Sequence, residues 1–136
     1  MTMAKEARKK VLIIDDEDLV RETVILALGH AGFAAEGLAD SAQAFAHIKQ
    51  GQPDLVLLDL YMPEVSGLDL LRRLKADPQT KAIPIVMFTG SNETIDVISG
   101  ISAGAFEYLT KPIDGEALIA KVRALLAGPR PAPEKH

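Results

Sequence analysis

Short apolar runs, each ending in a polar or acidic residue, recur along this chain and alternate with stretches of helical spacing. Val11 to Ile14 runs into Asp15 and Asp16, and Leu55 to Leu58 into Asp59. Ile83 to Phe88 runs into the polar cluster from Thr89 to Asn92, and Ala105 to Leu109 into Thr110, Lys111 and Pro112. Four apolar residues in a row are too few for a helix and fit a strand buried on both faces. The pattern predicts strands over 10–15, 33–38, 54–58, 83–88 and 105–109, the second being the weakest. Pro84 falls near the start of its strand, where a missing donor is tolerable.

Between these runs the apolar positions change to helical spacing. Asp18 is expected to cap a helix reaching about His30, with Val20, Val24, Ala27, Leu28 and Ala31 on its inner stripe and Gly32 as its stop. A helix over 41–50 follows, burying Ala44, Phe45 and Ile48, with Asp40 or Ser41 as cap. The next spans 65–76, buries Leu70, Leu71 and Leu74, and ends at Asp77 and Pro78. Thr94, Val97, Ile98 and Ile101 form the expected inner stripe of a fourth helix, closed by Gly104, with Ile95 outside it. Asp114 caps the fifth, with Leu118, Val122 and Leu125 inward.

Five strands alternating with five helices imply an α/β domain: a parallel sheet, helices on both faces, right-handed crossovers. In such a sheet every strand's C-terminal end lies along one edge. Asp15, Asp16, Asp59, Thr89 and Lys111, distant in sequence, therefore converge on one cleft. Carboxylates crowded there would raise one another's pKa unless a cation joined them. Oxygen ligands without His or Cys suit a hard ion, Mg²⁺ above all, which keeps waters that phosphate oxygens can replace. Lys111 is a point charge for a phosphoryl oxygen, and the Thr89 hydroxyl is a donor for another. Backbone N–H groups after Asp59 and at Gly90 could add further donors. Asp59 itself can be a nucleophile, forming an aspartyl phosphate.

Each of these residues alone has a plainer reading. Paired aspartates after a strand are often helix caps, but Asp18 is better placed for that role. Asp59 alone could be a turn residue, Thr89 a solvated strand end, and Lys111 a surface lysine. Tyr108 could be a half-buried strand aromatic. Glu17 borders the acidic group, either solvated or influencing the metal. His30 and His47 have no ligand partners at useful spacing.

Composition narrows the picture. The chain has 136 residues, 48% hydrophobic and 25% charged, enough for one core. Its net charge of −4 argues against direct nucleic-acid binding. It has no cysteine, which removes disulfides and thiolate sites and suits a reducing cytoplasm. The basic start lacks an apolar segment of signal-peptide type, and no run approaches a membrane span. Residues 1–8 read as a lead-in, 9–127 as the domain, and 128–136 as a Pro-rich disordered tail.

Asp15-Asp16, Asp59, Thr89 and Lys111-Pro112, in that order and spacing, resemble the receiver domain of two-component response regulators, the CheY-like family. The resemblance covers about residues 9 to 127, and no core motif residue is missing. It implies a flavodoxin-like five-stranded sheet of order 2-1-3-4-5. It implies Asp59 as phosphoacceptor and Asp16 as a direct Mg²⁺ ligand, with Asp15 acting largely through water. The backbone carbonyl of Tyr61 would complete the protein ligands. Thr89 and Tyr108 match the switch pair, and Lys111-Pro112 a cis peptide. Gly90 matches a small residue that leaves room for the phosphoryl group. Tyr61, two residues past the acceptor, is large where the family varies and is expected to tune phosphoryl lifetime.

The expected function is that of a stand-alone receiver. It takes a phosphoryl group from a sensor histidine kinase, directly or through a phosphotransfer protein. It then switches conformation to control a protein partner through its fourth helix, fifth strand and fifth helix. It catalyses only its own phosphorylation and dephosphorylation. The alternatives are the receiver part of a longer regulator and a phosphorylation-independent module on the same fold. A phosphatase with an aspartate nucleophile would need a second Asp where Tyr61 stands. A flavin protein of this topology would have its phosphate repelled by Asp15, Asp16 and Glu17.

Overall fold

A computed structural model of the chain describes residues 8–60, 66–90, 94–111 and 114–127, with the backbone alone over 94–97. The expectations for Tyr61, Pro112, the side chains of Thr94, Ile95 and Val97, the first seven residues and the tail lie outside the described residues. Five strands form one sheet: β1 Lys10–Ile14, β2 Ala34–Leu38, β3 Leu55–Leu58, β4 Ile85–Thr89 and β5 Glu107–Thr110. All pairings are parallel and the order is β2-β1-β3-β4-β5, as expected. The helices are α1 Asp18–His30, α2 Ala44–Gly51, α3 Gly67–Ala76, α4 Thr94–Ser102 and α5 Gly115–Ala127, and a 3₁₀ turn, Ser41–Gln43, leads into α2.

Side chains on alternate faces of the central strands feed two cores. Leu12, Ile14, Val56, Leu58, Ile85 and Met87 meet Ile48 of α2 and Leu70, Leu71 and Leu74 of α3. Val11, Ile13, Leu55, Leu57, Val86 and Phe88 meet Val24 and Leu28 of α1 and Leu118 and Val122 of α5. Burial on both faces explains the continuous apolar runs. The edge strand β2 is only partly covered, which is why its run is the weakest.

Three local expectations are corrected. Asp18 does not cap α1: Glu17 holds the N-cap position, without a side-chain cap bond, and Asp18 pairs with Arg21 at 2.7 Å. The segment from Ser41 opens as a 3₁₀ turn, with Asp40 accepting from the Ala42 N–H at 2.8 Å. Ile98 and Ile101 are 55% and 46% exposed, so they do not form the inner stripe of α4. That helix docks instead through Gly100: a side chain there would strike the Met87 sulfur. Ala103, one turn on, packs against the same core. Elsewhere the ends behave as expected: the Asp114 carboxylate accepts from Glu116 and Ala117, and Gly32 and Gly104 follow α1 and α4 at positive φ. Ser66, which the sequence reading did not single out, caps α3 through the Asp69 N–H.

Candidate phosphoacceptor site

Strand register brings the site together. Ile14 pairs with both Leu38 and Leu58, so Asp15 and Asp59 emerge side by side at the same edge. The Asp15 N–H donates to the Leu38 carbonyl at 3.1 Å, and the Asp59 N–H to the Ile14 carbonyl at 3.0 Å. Thr89 pairs with Thr110, and the Lys111 N–H donates to the Thr89 carbonyl at 2.9 Å. Topology alone thus delivers four side chains to one rim.

Their side chains meet around the Lys111 ammonium. Its Nζ lies 2.6 Å from Asp15 Oδ2, 2.9 Å from Glu17 Oε1 and 3.2 Å from Asp59 Oδ2. Asp15 and Asp59 are 1% and 5% exposed, whereas the Glu17 side chain is 61% exposed. Lys111 also stands over the Phe88 ring, 5.6 Å from its centroid. Burial alone would lower the lysine's pKa. The carboxylates of Asp15, Glu17 and Asp59 outweigh it and hold the ammonium charged well above its ordinary range.

The acidic side chains also fit a metal. Carboxylate oxygens of Asp15, Glu17 and Asp59 all lie within 4.8 Å of one another. At such separations each like-charge pair costs roughly 3 kcal/mol at an effective dielectric near 20. Three carboxylates against one ammonium leave two negative charges, the charge a divalent cation balances. Two buried polar atoms, Asp15 Oδ2 and Thr89 Oγ1, have no hydrogen-bond partner among the described residues. Asp15 Oδ2 touches the lysine as an ion pair, but not in hydrogen-bonding geometry; Thr89 Oγ1 is fully enclosed. An oxygen-only set with spare lone pairs suits a hard ion.

Of the anticipated residues, Asp15, Asp59 and Lys111 are in contact and Thr89 ends the next strand. Asp16 lies beside them, exposed. Tyr108 is half-buried on β5 against the α2–α3 core. A side-chain carbon at Gly90 would meet nothing within 4 Å. Glu17, read from the sequence as either solvated or influencing the metal, joins the cluster.

Gly67 was missed. A side chain on it would collide with the Asp59 carbonyl and the Leu60 backbone, so α3 can start against Asp59 only with glycine there. The Gly67 N–H closes this approach on the Leu60 carbonyl at 3.0 Å. The sequence signal was a glycine two residues past an apolar residue at the head of a helix, where glycine is otherwise unfavourable.

The family of response regulator receiver domains matches residues 11–123. The phosphate regulon transcriptional regulatory protein PhoB of Pseudomonas aeruginosa is 42% identical over 118 residues, covering 87% of this chain and 52% of its own. The DNA-binding response regulator MtrA of Mycolicibacterium smegmatis is 39% identical over 119 residues, covering 88% of this chain and 51% of its own. The chain thus spans about half the length of these curated relatives. Among solved structures, chemotaxis protein CheY4 of Vibrio cholerae superposes with a TM-score of 0.82 at 30% identity, over 87% of this chain and 98% of its own. A CheY-like receiver domain protein of Methanospirillum hungatei gives 0.83 at 25% identity, over 89% and 95%.

Proposed function

Because this chain belongs to the response regulator receiver domain family, we propose that Asp59 accepts a phosphoryl group from the phosphohistidine of a sensor kinase or phosphotransfer protein. A carboxylate oxygen of Asp59 attacks phosphorus and the P–N bond to the imidazole breaks. The electron pair stays on the ring nitrogen, which takes up a proton, and an acyl phosphate is left on Asp59. Asp15, Asp16 and Asp59, with the Tyr61 carbonyl that the family resemblance implies, would hold Mg²⁺, whose charge would offset that on the phosphoryl oxygens. Glu17 is a further carboxylate at the same place. Lys111 turns from its carboxylate partners to a phosphoryl oxygen, and the Thr89 hydroxyl donates to another.

The observation that carries this reading is a buried Asp59 carboxylate 3.2 Å from the Lys111 ammonium, inside an acidic cluster. Movement of the Thr89 hydroxyl toward the phosphoryl group gives the half-buried Tyr108 ring room to turn inward, shifting the population between two conformations. Ile98, Ile101 and Phe106, exposed on α4 and just before β5, give that face an apolar surface for a protein partner. The protein is a switch, not a turnover enzyme, and the reading takes the cytoplasm as its compartment. Among the described residues no helix is long and apolar enough to cross a membrane. The doubled length of the curated relatives favours a second reading, in which this receiver governs an output domain in a longer regulator.

The test is chemical labelling. With Mg²⁺ and a small acyl phosphate donor, wild type is expected to gain one phosphoryl group and Asp59→Asn none. Equal labelling of the variant would reject Asp59 as the acceptor.

A further inference from the structure

Arg21, on the first turn of α1, touches none of the proposed reacting side chains yet is tied to the backbone of one of the buried residues, Asp15. Its side chain is 13% exposed, unusual for an arginine on an outer helix. Nη1 donates to the backbone carbonyl of Asp15 at 2.8 Å, and Nη2 to Asp18 Oδ1 at 2.7 Å. The Asp15 N–H is already held by the Leu38 carbonyl at 3.1 Å. Asp15 Oδ1 accepts from the Glu17 N–H at 2.9 Å, and Oδ2 lies against Lys111. With Arg21 on its carbonyl, each polar group of Asp15 has a fixed neighbour.

A second feature stands across the sheet edge. Gly37 is the β2 residue paired with Ile13, one step before the Leu38 that holds Asp15. A side-chain carbon at Gly37 would come within 2.8 Å of Arg21 Cγ and 2.9 Å of Arg21 Cδ, as well as 2.8 Å of Ile25 Cδ1. The two arginine carbons are inner atoms of its stem, unable to swing aside without moving its head. The glycine leaves the channel along which the arginine reaches the site. A glycine otherwise weakens a strand, so this one has a packing reason.

We propose that Arg21, seated on Gly37, is a positioning residue that fixes the peptide between Asp15 and Asp16 and thereby sets the affinity of the acidic cluster for a divalent cation. The inference rests on the Mg²⁺ reading above. Its sign sets it apart from simple electrostatics: removing a positive charge near the carboxylates would by itself tighten cation binding. Loss of positioning weakens it, and the partners that orient metal ligands typically govern about 10–100-fold in affinity.

The test is a calorimetric Mg²⁺ titration of the unphosphorylated chain, with urea unfolding measured alongside. Arg21→Met keeps most of the stem and removes the guanidinium; it is expected to weaken Mg²⁺ binding about tenfold, with Arg21→Lys recovering part of the loss. Gly37→Ala keeps the guanidinium but displaces its stem, and is expected to weaken binding in wild type and to add little in an Arg21→Ala background. Unchanged or tighter binding in a folded Arg21→Met overturns the proposal. Should that variant not fold, unchanged binding in Gly37→Ala overturns it instead. A wild type that binds no Mg²⁺ overturns the metal reading itself, and with it this inference.

Discussion

Two lysines in this molecule are drawn in opposite directions by their surroundings. Lys111 is buried among carboxylates that hold its proton. Lys75 donates to the backbone carbonyls of Lys81 and Ile83 at 3.0 and 2.8 Å, and burial lowers its pKa from 10.5 to about 8. The unfolded chain binds the Lys75 proton more tightly than the folded one. Lys75 therefore costs stability below pH 8, and that cost is relieved as pH rises from 8 to 10.5. The stability of wild type relative to Lys75→Met, measured by urea unfolding, is expected to climb through that window. A difference that stays flat with pH would show that burial does not perturb this lysine. Asp59 and Lys111 were legible as candidate site residues because Asp59 closes an apolar run and Lys111 follows one by a single residue. Arg21 and Gly67 were not, because what they touch depends on which backbone they approach, and one-dimensional spacing carries no such distance.

Among the elements, α3 and α4 show where periodicity succeeds and where it misleads. In α3 the leucines at 70, 71 and 74 are all at most 1% exposed, as their spacing required. In α4 the apolar count pointed to Ile98 and Ile101, but the helix turns its glycine face to Met87 because only there can the backbones come close. A pattern of hydrophobic residues marks a stripe; it does not say whether a neighbour covers it. The two helices should therefore respond differently to truncation. Leu74→Ala is expected to destabilise by about 2–5 kcal/mol through its cavity. Ile98→Ser, on an exposed face, should stay within about 0.5 kcal/mol. Chemical denaturation of both variants checks this, and a large loss from Ile98→Ser would mean that α4 buries its isoleucine face after all.

For the molecule as a whole, the parallel sheet follows from alternation of element types, its strand order was implied by the family resemblance, and the site follows from the sheet. Parallel strands put every C-terminal end on one rim, so residues up to 96 positions apart, from Asp15 to Lys111, meet without any local motif joining them. The continuous apolar runs could be read as central strands because both of their faces are covered. The partly exposed β2 left a fainter trace. Boundaries shifted by a residue or two, with Ile83, Pro84 and Ala105 outside the strands, because pairing rather than hydrophobicity decides where a strand begins. We propose that this rim is built to load one carboxylate with a phosphoryl group when a divalent ion is present. Peptide mapping by mass spectrometry after treatment with an acyl phosphate donor, with Mg²⁺ and with a chelator, tests it most directly. A single phosphoryl group is expected on the peptide containing Asp59, formed with Mg²⁺ and abolished by the chelator; labelling elsewhere, or equal labelling without the metal, would refute that role for the rim.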